Sequence, residues 1–135
     1  MASIRREISI EVPVAQVWDA LRDVGALHTR LVVGFVTDCR LDGDARIVTF
    51  ANGMVAREVI IDVSESEQRV VWSVVGGRVT HHNASAQVFA EGVSRSRLVW
   101  IADLLPNELA PAIASMIEQG AIAMKKTLEN ARVAA

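Results

Sequence analysis

Two ionisable side chains, Glu58 and His82, fall on stretches of sequence in which polar and apolar residues alternate. Alternation with a period of two is typical of a half-buried strand, whose successive side chains take opposite faces of a sheet. If Arg57 points to solvent, then Glu58 points inward, and if Asn83 points to solvent, then His82 points inward. A carboxylate and an imidazole on an apolar wall could exchange protons with a ligand or hydrogen-bond its polar groups. These two residues are therefore the candidate catalytic residues of the chain.

Each of the two candidates also has a structural interpretation. Glu58 could form an ion pair with a nearby arginine, or a reversed face could leave it in water. His82 could be a hydrogen-bonded histidine of the inner face. One predicted strand separates the two, so their backbones should lie about 9–10 Å apart, across a ligand rather than in contact. The sequence leaves the catalytic and the structural interpretations open.

The spacing of metal-binding and nucleophilic residue types predicts no metal site and no cofactor. His81 and His82 are neighbours, and neighbours on a strand point to opposite faces, so they cannot easily share one ion. No cysteine or carboxylate lies around them at a spacing typical of zinc sites. Cys39 is the single cysteine, which excludes an intramolecular disulfide and fits a reducing compartment. We expect Cys39 to be a small buried residue rather than a nucleophile.

The strands that must position these residues form a long run in the middle of the chain. Residues 4–12 alternate as a first strand. Asn52-Gly53 is a strong two-residue hairpin signal, because both residues tolerate a positive φ. Successive hairpins indicate an antiparallel meander. Six further strands are predicted at residues 32–41, 45–51, 54–63, 69–75, 79–90 and 95–103.

Helical periodicity appears on both sides of this run. After Pro13, apolar residues recur every three to four positions and predict a short amphipathic helix, and a second short helix is plausible through Leu27 and Leu31. A long amphipathic helix is predicted within residues 107–130. Pro111 is unfavourable deep inside a helix, so either the main helix begins near it or residues 106–110 form a separate turn.

The inner face of the predicted sheet combines aliphatic residues and alanines with two indoles and the two candidate ionisable groups. Small residues leave space that a core packed to native density would fill. We therefore expect a ligand cavity between the sheet and the last helix. A cavity below about 300 Å³, the low end of ligand pockets, would count strongly against ligand binding. The tryptophans and methionines of this set could equally be core residues. The predicted lining consists of Ala56, Glu58, Ile60, Trp72, Val74, His82, Ala84, Leu98, Trp100, Ile113, Met116, Ile117 and Met124.

The composition limits the classes of function. A length of 135 residues predicts one domain, residues 1–135, and an apolar fraction of 51% is well above that of disordered chains. A net charge of −2 gives no electrostatic reason to bind nucleic acid or an anionic membrane. No window approaches the roughly 20 apolar residues of a membrane span, and the first residues lack the apolar stretch of a signal peptide. We expect a soluble cytoplasmic domain.

Several motifs are weak alone but informative in their order along the chain. They are Ile8 to Val12, Pro13, Val17-Trp18, Leu21 and Asp23, then Asn52-Gly53, Glu58, Asp62, Arg69 before Trp72, Ser96 to Trp100, and Pro106 before the final helix. This order resembles the START-like, Bet v 1-like superfamily (SRPBCC), and within it the polyketide cyclase/dehydrase and lipid-transport branch. The resemblance implies an α+β helix-grip fold: a seven-stranded curved antiparallel sheet around a long C-terminal helix, with two short helices after the first strand. Members bind hydrophobic ligands such as lipids, sterols, hormones and polyketides, and some are cyclases or dehydratases.

Three functions are compatible with these expectations. The favoured one is a binding module that holds a hydrophobic small molecule, gated by loops near residues 25–34 and 76–80, with His28 near the entrance or simply at the surface. The second is a polyketide cyclase or dehydratase in which Glu58 and His82 move protons. The third is an interaction protein, a possible homodimer that associates through apolar residues of the outer sheet face. Those residues are Val59, Ile61, Val71, Val75, Val99 and Ile101.

Overall fold

The computed structural model describes residues 1–131 of the chain. Two α-helices and one seven-stranded antiparallel sheet make up most of this part. The strands lie in the order β1-β7-β6-β5-β4-β3-β2, so β1 and β2 form the two edges of the sheet. The elements are β1 (Ala2–Ile10), α1 (Val14–Leu21), a π-helical turn (Leu27–Leu31), β2 (Val36–Asp42), β3 (Ala45–Phe50), β4 (Val55–Ser64), β5 (Arg69–Val75), β6 (His81–Ala90), β7 (Ser96–Leu105), a 3₁₀ turn (Asn107–Leu109) and α2 (Ala110–Asn130).

This architecture confirms the predicted helix-grip α+β fold. Strands β2 to β7 form the predicted meander, and β1 pairs with β7 across the far edge. The long helix begins at Ala110 with Pro111 in its first turn, where the missing N–H of proline removes no helical hydrogen bond. Both predictions about this region are therefore correct: the main helix begins near Pro111, and a separate 3₁₀ turn precedes it.

The predicted strand at residues 32–41 starts too early. The backbone N–H of Val32 still bonds to the carbonyl of Leu27, which extends the π-helical turn through that residue. Gly34 then adopts a φ of +86°, a conformation that a regular strand cannot contain. Strand β2 begins only at Val36, so Val33 to Phe35 form a loop that lies across the end of the sheet.

The inner face of the sheet packs against α1 and α2 to form the core. Fully buried side chains such as Ile10, Val17 and Leu98 lie at this interface. Trp18 is buried as predicted, and its Nε1–H donates to Glu65 Oε2 at 2.7 Å, which connects α1 to the β4–β5 turn. Cys39 is buried as predicted.

Fewer apolar side chains of the outer sheet face are exposed to solvent than the sequence suggests. Val71 and Val99 point outward by register but are only 7% and 6% exposed within a single chain. Ile61 and Val75 are 56% and 43% exposed. Between Ile60 and Asp62 the β4–β5 register shifts, so Ile61 sits in a β-bulge rather than in regular alternation.

No helix among residues 1–131 is both long enough and apolar enough to cross a membrane.

Candidate ligand-binding site

A partly open cavity of about 110 Å³ lies between the inner face of the sheet, the π-helical turn and α2. This volume is below the limit of about 300 Å³ given above, so in this conformation it counts against the binding of a large ligand. The space is small because two phenylalanine rings join the two indoles in it. Its wall comprises Leu21, Leu27, Leu31, Val32, Phe35, Val36, Arg46, Val48, Phe50, Glu58, Val70, Trp72, Val74, His82, Ala84, Ala86, Trp100, Ile113, Met116, Ile117 and Met124.

Three residues of the predicted lining lie outside this wall. Leu98 is fully buried in the core, paired with Ile8 and Val88. Ala56 and Ile60 lie on β4, and both are half-buried. The other predicted residues are brought together around the cavity, and their contact with a ligand stays a prediction. They are Glu58, Trp72, Val74, His82, Ala84, Trp100, Ile113, Met116, Ile117 and Met124.

The sequence analysis missed Arg46 and the two phenylalanines of the wall. Arg46 and Phe50 lie on β3, whose faces the sequence analysis did not assign. The spacing of Arg46, Val48 and Phe50 is the signal that could have found them, because residues two apart share one face of a strand. Phe35 lies in the loop before β2, where periodicity gives no information about direction.

Arg46 and Glu58 form a buried ion pair in the cavity wall. They face each other across β3 and β4, and Arg46 Nε donates to Glu58 Oε1 at 2.7 Å. Their exposed fractions are only 4% and 8%. The Nη1 atom of Arg46 also donates to the Val24 carbonyl at 3.2 Å. The central carbon of the guanidinium lies 5.2 Å from the centre of the Trp72 ring. Charges this deeply buried persist only when paired and hydrogen-bonded. Glu58 thus points inward, as predicted, and the ion-pair interpretation is confirmed.

His82 lines the same cavity on β6 and is half-buried. Burial lowers the pKa of its imidazole below the ordinary value of 6.5, and the neighbouring His81 lowers it further. Near neutral pH His82 is therefore neutral, with one ring nitrogen as donor and the other as acceptor. Strand β5 separates His82 from Glu58, so a ligand between them could contact both. Within residues 1–131, no three His, Cys, Asp or Glu side chains are grouped so that they could hold a metal ion.

Four aromatic rings cover much of the remaining wall. Trp72 and Trp100 have ring centroids 6.3 Å apart and tilted by 57°, and Phe35 meets Phe50 edge-on at 5.4 Å. The indole Nε1 of Trp100 is buried without a hydrogen-bond partner. His28, in the π-helical turn, is half-buried and outside the cavity wall, and its Nδ1 is likewise unpartnered.

The fold and this site define a class of protein: a helix-grip domain whose curved sheet and long helix enclose an apolar cavity with a few polar groups. The sequence profile of the family described as polyketide cyclase/dehydrase and lipid transport matches residues 1–132. The chain belongs to this family.

Several solved structures share this fold. An uncharacterised protein from Bacillus thuringiensis has a TM-score of 0.83 and 18% identity, covering 94% of this chain and 98% of its own. A START superfamily protein from Mycobacterium smegmatis has a TM-score of 0.73 and 10% identity, with coverages of 95% and 94%. The Zhui aromatase/cyclase from Streptomyces sp. R1128 has a TM-score of 0.71 and 13% identity, with coverages of 96% and 92%. No curated protein matches significantly.

Proposed function

We propose that the protein binds a neutral, hydrophobic small molecule of the lipid or polyketide type, with one polar group, between the sheet and α2. The observation that carries this proposal is an apolar cavity wall interrupted by the Arg46–Glu58 pair and by His82. An apolar site with a few convergent polar groups is the usual form of a small-molecule pocket. Membership of a family whose description includes lipid transport agrees with it.

The size of the cavity implies that binding is coupled to opening. An apolar cavity of about 150 Å³ holds a molecule the size of benzene, and this one measures about 110 Å³. A lipid or polyketide therefore requires side chains such as Phe35 and Met116 to move away. Phe35 lies in the loop before β2, where Ala51 N bonds to its carbonyl, so the movement is expected of its ring rather than of its backbone. The bound state is then a conformation that the ligand stabilises by its own contacts.

The charges in the wall favour a neutral ligand. Arg46 and Glu58 neutralise each other, and His82 is neutral near pH 7 because burial lowers its pKa. A carboxylate ligand would have to displace Glu58 from Arg46 or enter protonated, and both cost free energy. A hydroxyl or carbonyl group could instead hydrogen-bond to the pair as it stands, since a guanidinium has five N–H donors.

A matched pair of probes tests this proposal. We expect 1-dodecanol to raise the thermal unfolding midpoint of the purified protein, and dodecanoate of the same chain length to raise it less at pH 8. In the R46M/E58L variant, which removes both charges, the difference between the two probes should shrink. Native mass spectrometry of the freshly purified protein would detect a co-purified ligand directly. If neither probe nor any other neutral amphiphile shifts the midpoint and no ligand co-purifies, the binding proposal is wrong.

A second candidate function is a cyclisation or dehydration of a polyketide-like substrate in the same cavity. It is favoured by one observation, which is that Glu58 and His82 both line this cavity from opposite sides of β5. The family description, which includes polyketide cyclases and dehydrases, and the fold shared with the Zhui aromatase/cyclase agree with this possibility. Glu58 or His82 could then accept a proton from one part of the substrate and return it to a leaving hydroxyl, directly or through one water.

Substitutions of the two residues test the enzymatic alternative. With a poly-β-ketone substrate analogue, E58Q and H82A should each lower turnover by at least about 100-fold if they move protons. Two controls match them: H81A changes the neighbouring histidine, which is exposed, and E67Q changes an exposed glutamate. Full turnover in both E58Q and H82A, or no turnover in the wild-type protein, would reject the enzymatic alternative.

A further inference from the structure

Gly120 lies on α2 close to two aromatic rings of the cavity wall. A β-carbon at this position would lie 2.9 Å and 3.0 Å from Trp100 Cη2 and Cζ3, and 3.2 Å from Phe35 Cε2. Real β-carbons essentially never approach another heavy atom closer than 3.0 Å. Two rings that line the cavity, one from β7 and one from the loop before β2, thus share the space left by one missing methyl group.

Glycine at position 120 lowers the stability of the helix, and side-chain packing must offset this cost. Glycine is among the least favourable residues in the interior of a helix, and alanine is the most favourable. Gly120 lies in the middle of α2 and is buried, so neither a turn nor a helix end explains it. The close approach of Trp100 and Phe35 does explain it, because any side chain at position 120 would occupy the volume that those two rings fill.

The backbone behind each of the two rings is held, so the rings themselves would have to respond to a side chain at position 120. Trp100 lies on β7, which is paired along its length with β1 and β6, so its backbone is held and only its indole can rotate. The carbonyl of Phe35 accepts a hydrogen bond from Ala51 N at 2.9 Å, which holds the loop against the β3–β4 hairpin. A ring pushed away from α2 therefore moves toward the sheet, where the free space is the cavity itself.

We propose that Gly120 is a specificity-determining residue, which sets the largest ligand that the cavity accepts by allowing Trp100 and Phe35 to lie against α2. This inference rests on the proposed function. The bare backbone at position 120 keeps the two rings out of a cavity that is already small. A β-carbon there excludes bulky ligands first, and a small ligand that needs less movement of the rings remains tolerated.

Two neutral probes of different size test this role in the full-length protein. The larger is N-phenyl-1-naphthylamine, followed by its own fluorescence, and the smaller is 4-fluorotoluene, followed by ¹⁹F NMR. We expect G120A to lower the affinity for the larger probe at least tenfold and the affinity for the smaller probe less than threefold. The double variant G120A/W100F, which shortens the displaced ring, should recover most of the lost affinity. I122A is the matched control, because Ile122 is 66% exposed on the same helix and its substitution also raises helix propensity.

The outcomes separate this inference from the function on which it rests. If the wild-type protein binds neither of these probes nor 1-dodecanol, and no ligand co-purifies, the proposed function fails and the role of Gly120 fails with it. If it binds 1-dodecanol but neither of these probes, only the role of Gly120 is overturned. If the wild-type protein binds both probes and G120A binds them with unchanged affinities, the role of Gly120 alone is overturned. If G120A loses its cooperative thermal transition, the affinities of the single variant W100F for the two probes are measured instead. We then expect W100F to raise the affinity for the larger probe, relative to that for the smaller probe, by at least threefold. An unchanged ratio of the two affinities would overturn the inference.

Discussion

The buried pair of Arg46 and Glu58 places two opposite charges in the interior of a small domain. Each side chain depends on the other, because an isolated charge in an apolar wall has lost its hydration without gaining a partner. The Val24 carbonyl and the face of Trp72 supply further partners to the guanidinium. The pair is therefore expected to be more important for the polarity of the cavity than for net stability.

Removing one partner of this pair should be much more costly than removing both. We expect R46M to lower the free energy of unfolding by about 3–5 kcal/mol, because it leaves the Glu58 carboxylate buried and unpaired. The double variant R46M/E58L should be close to the wild-type protein or more stable than it. Urea denaturation of the three proteins measures both differences. Equal destabilisation by the single and the double substitution would contradict this account of the pair.

His82 makes the stability of the fold depend on pH in a predictable direction. Burial lowers the pKa of the folded imidazole below the 6.5 of an ordinary histidine. Between these two values the unfolded chain binds more protons than the folded one, so stability is complete above pH 6.5 and falls as the pH drops toward the folded pKa. Carboxyl groups act at lower pH: hydrogen bonds from Trp18 and Arg22 lower the pKa of Glu65 below 4.5.

The variant H82Q should remove this part of the pH dependence. We expect the wild-type protein to lose more stability than H82Q when the pH falls from 7 to 5, as measured by thermal unfolding in buffers of equal ionic strength. H81A serves as the control, because His81 is exposed. H81A should retain most of the loss, although the folded pKa of His82 should rise slightly without its neighbour. An identical slope in the wild-type protein and H82Q would show that His82 contributes nothing.

At the scale of elements, the two ends of α2 have different surroundings. All of its buried residues lie from Ile117 onward, and none lies in its first two turns. Its later part is connected to β1, since Lys125 Nζ donates to the Ser9 carbonyl and the N–H of Glu11 donates to Glu129 Oε2. The first part forms one side of the cavity through Ile113 and Met116. The later part of α2 is thus more deeply buried and more firmly anchored than its first part.

This asymmetry predicts a gradient of hydrogen exchange along α2. Amides in the first two turns should exchange faster than those of residues 117–128, because local opening there exposes few buried contacts. A bound ligand should slow exchange in the first turns and in residues 32–36, and change residues 117–128 little. Hydrogen-exchange mass spectrometry with and without 1-dodecanol measures the difference. Uniform protection along the helix in the free protein would contradict a mobile first part.

At the scale of the whole molecule, a ligand enclosed by sheet and helix should stabilise the entire fold. Binding to the folded state alone adds about 2.7 kcal/mol at a ligand concentration 100 times Kd. For a domain of this length that should raise the unfolding midpoint by on the order of 10 °C. Differential scanning calorimetry at several ligand concentrations checks the expected logarithmic dependence. A midpoint shift that stops increasing at one equivalent of a weakly binding ligand would indicate another mode of binding.

The homodimer considered from the sequence would depend on the outer face of the sheet. Of the apolar residues expected to form a dimer interface, Val71 and Val99 are already buried within one chain, which leaves Ile61 and Val75 as the substantially exposed ones. A stable interface buries about 800 Å² per partner, more than these two side chains can provide. We therefore expect a monomer in sedimentation velocity over a hundredfold range of concentration. A concentration-dependent increase in the sedimentation coefficient would restore the homodimer.

The sequence by itself determined the order of the elements, the meander and the inward direction of Glu58 and His82. These features depend on local periodicity and turn chemistry, because alternation fixes the faces of a strand and Asn52-Gly53 fixes a hairpin. The tertiary structure alone decided how much space remains inside. The volume of the cavity depends on rings from distant parts of the chain, Phe35 and Trp100, that both lie close to the backbone of Gly120. No local pattern in the sequence encodes such a meeting, since it depends on how the sheet curves toward the helix.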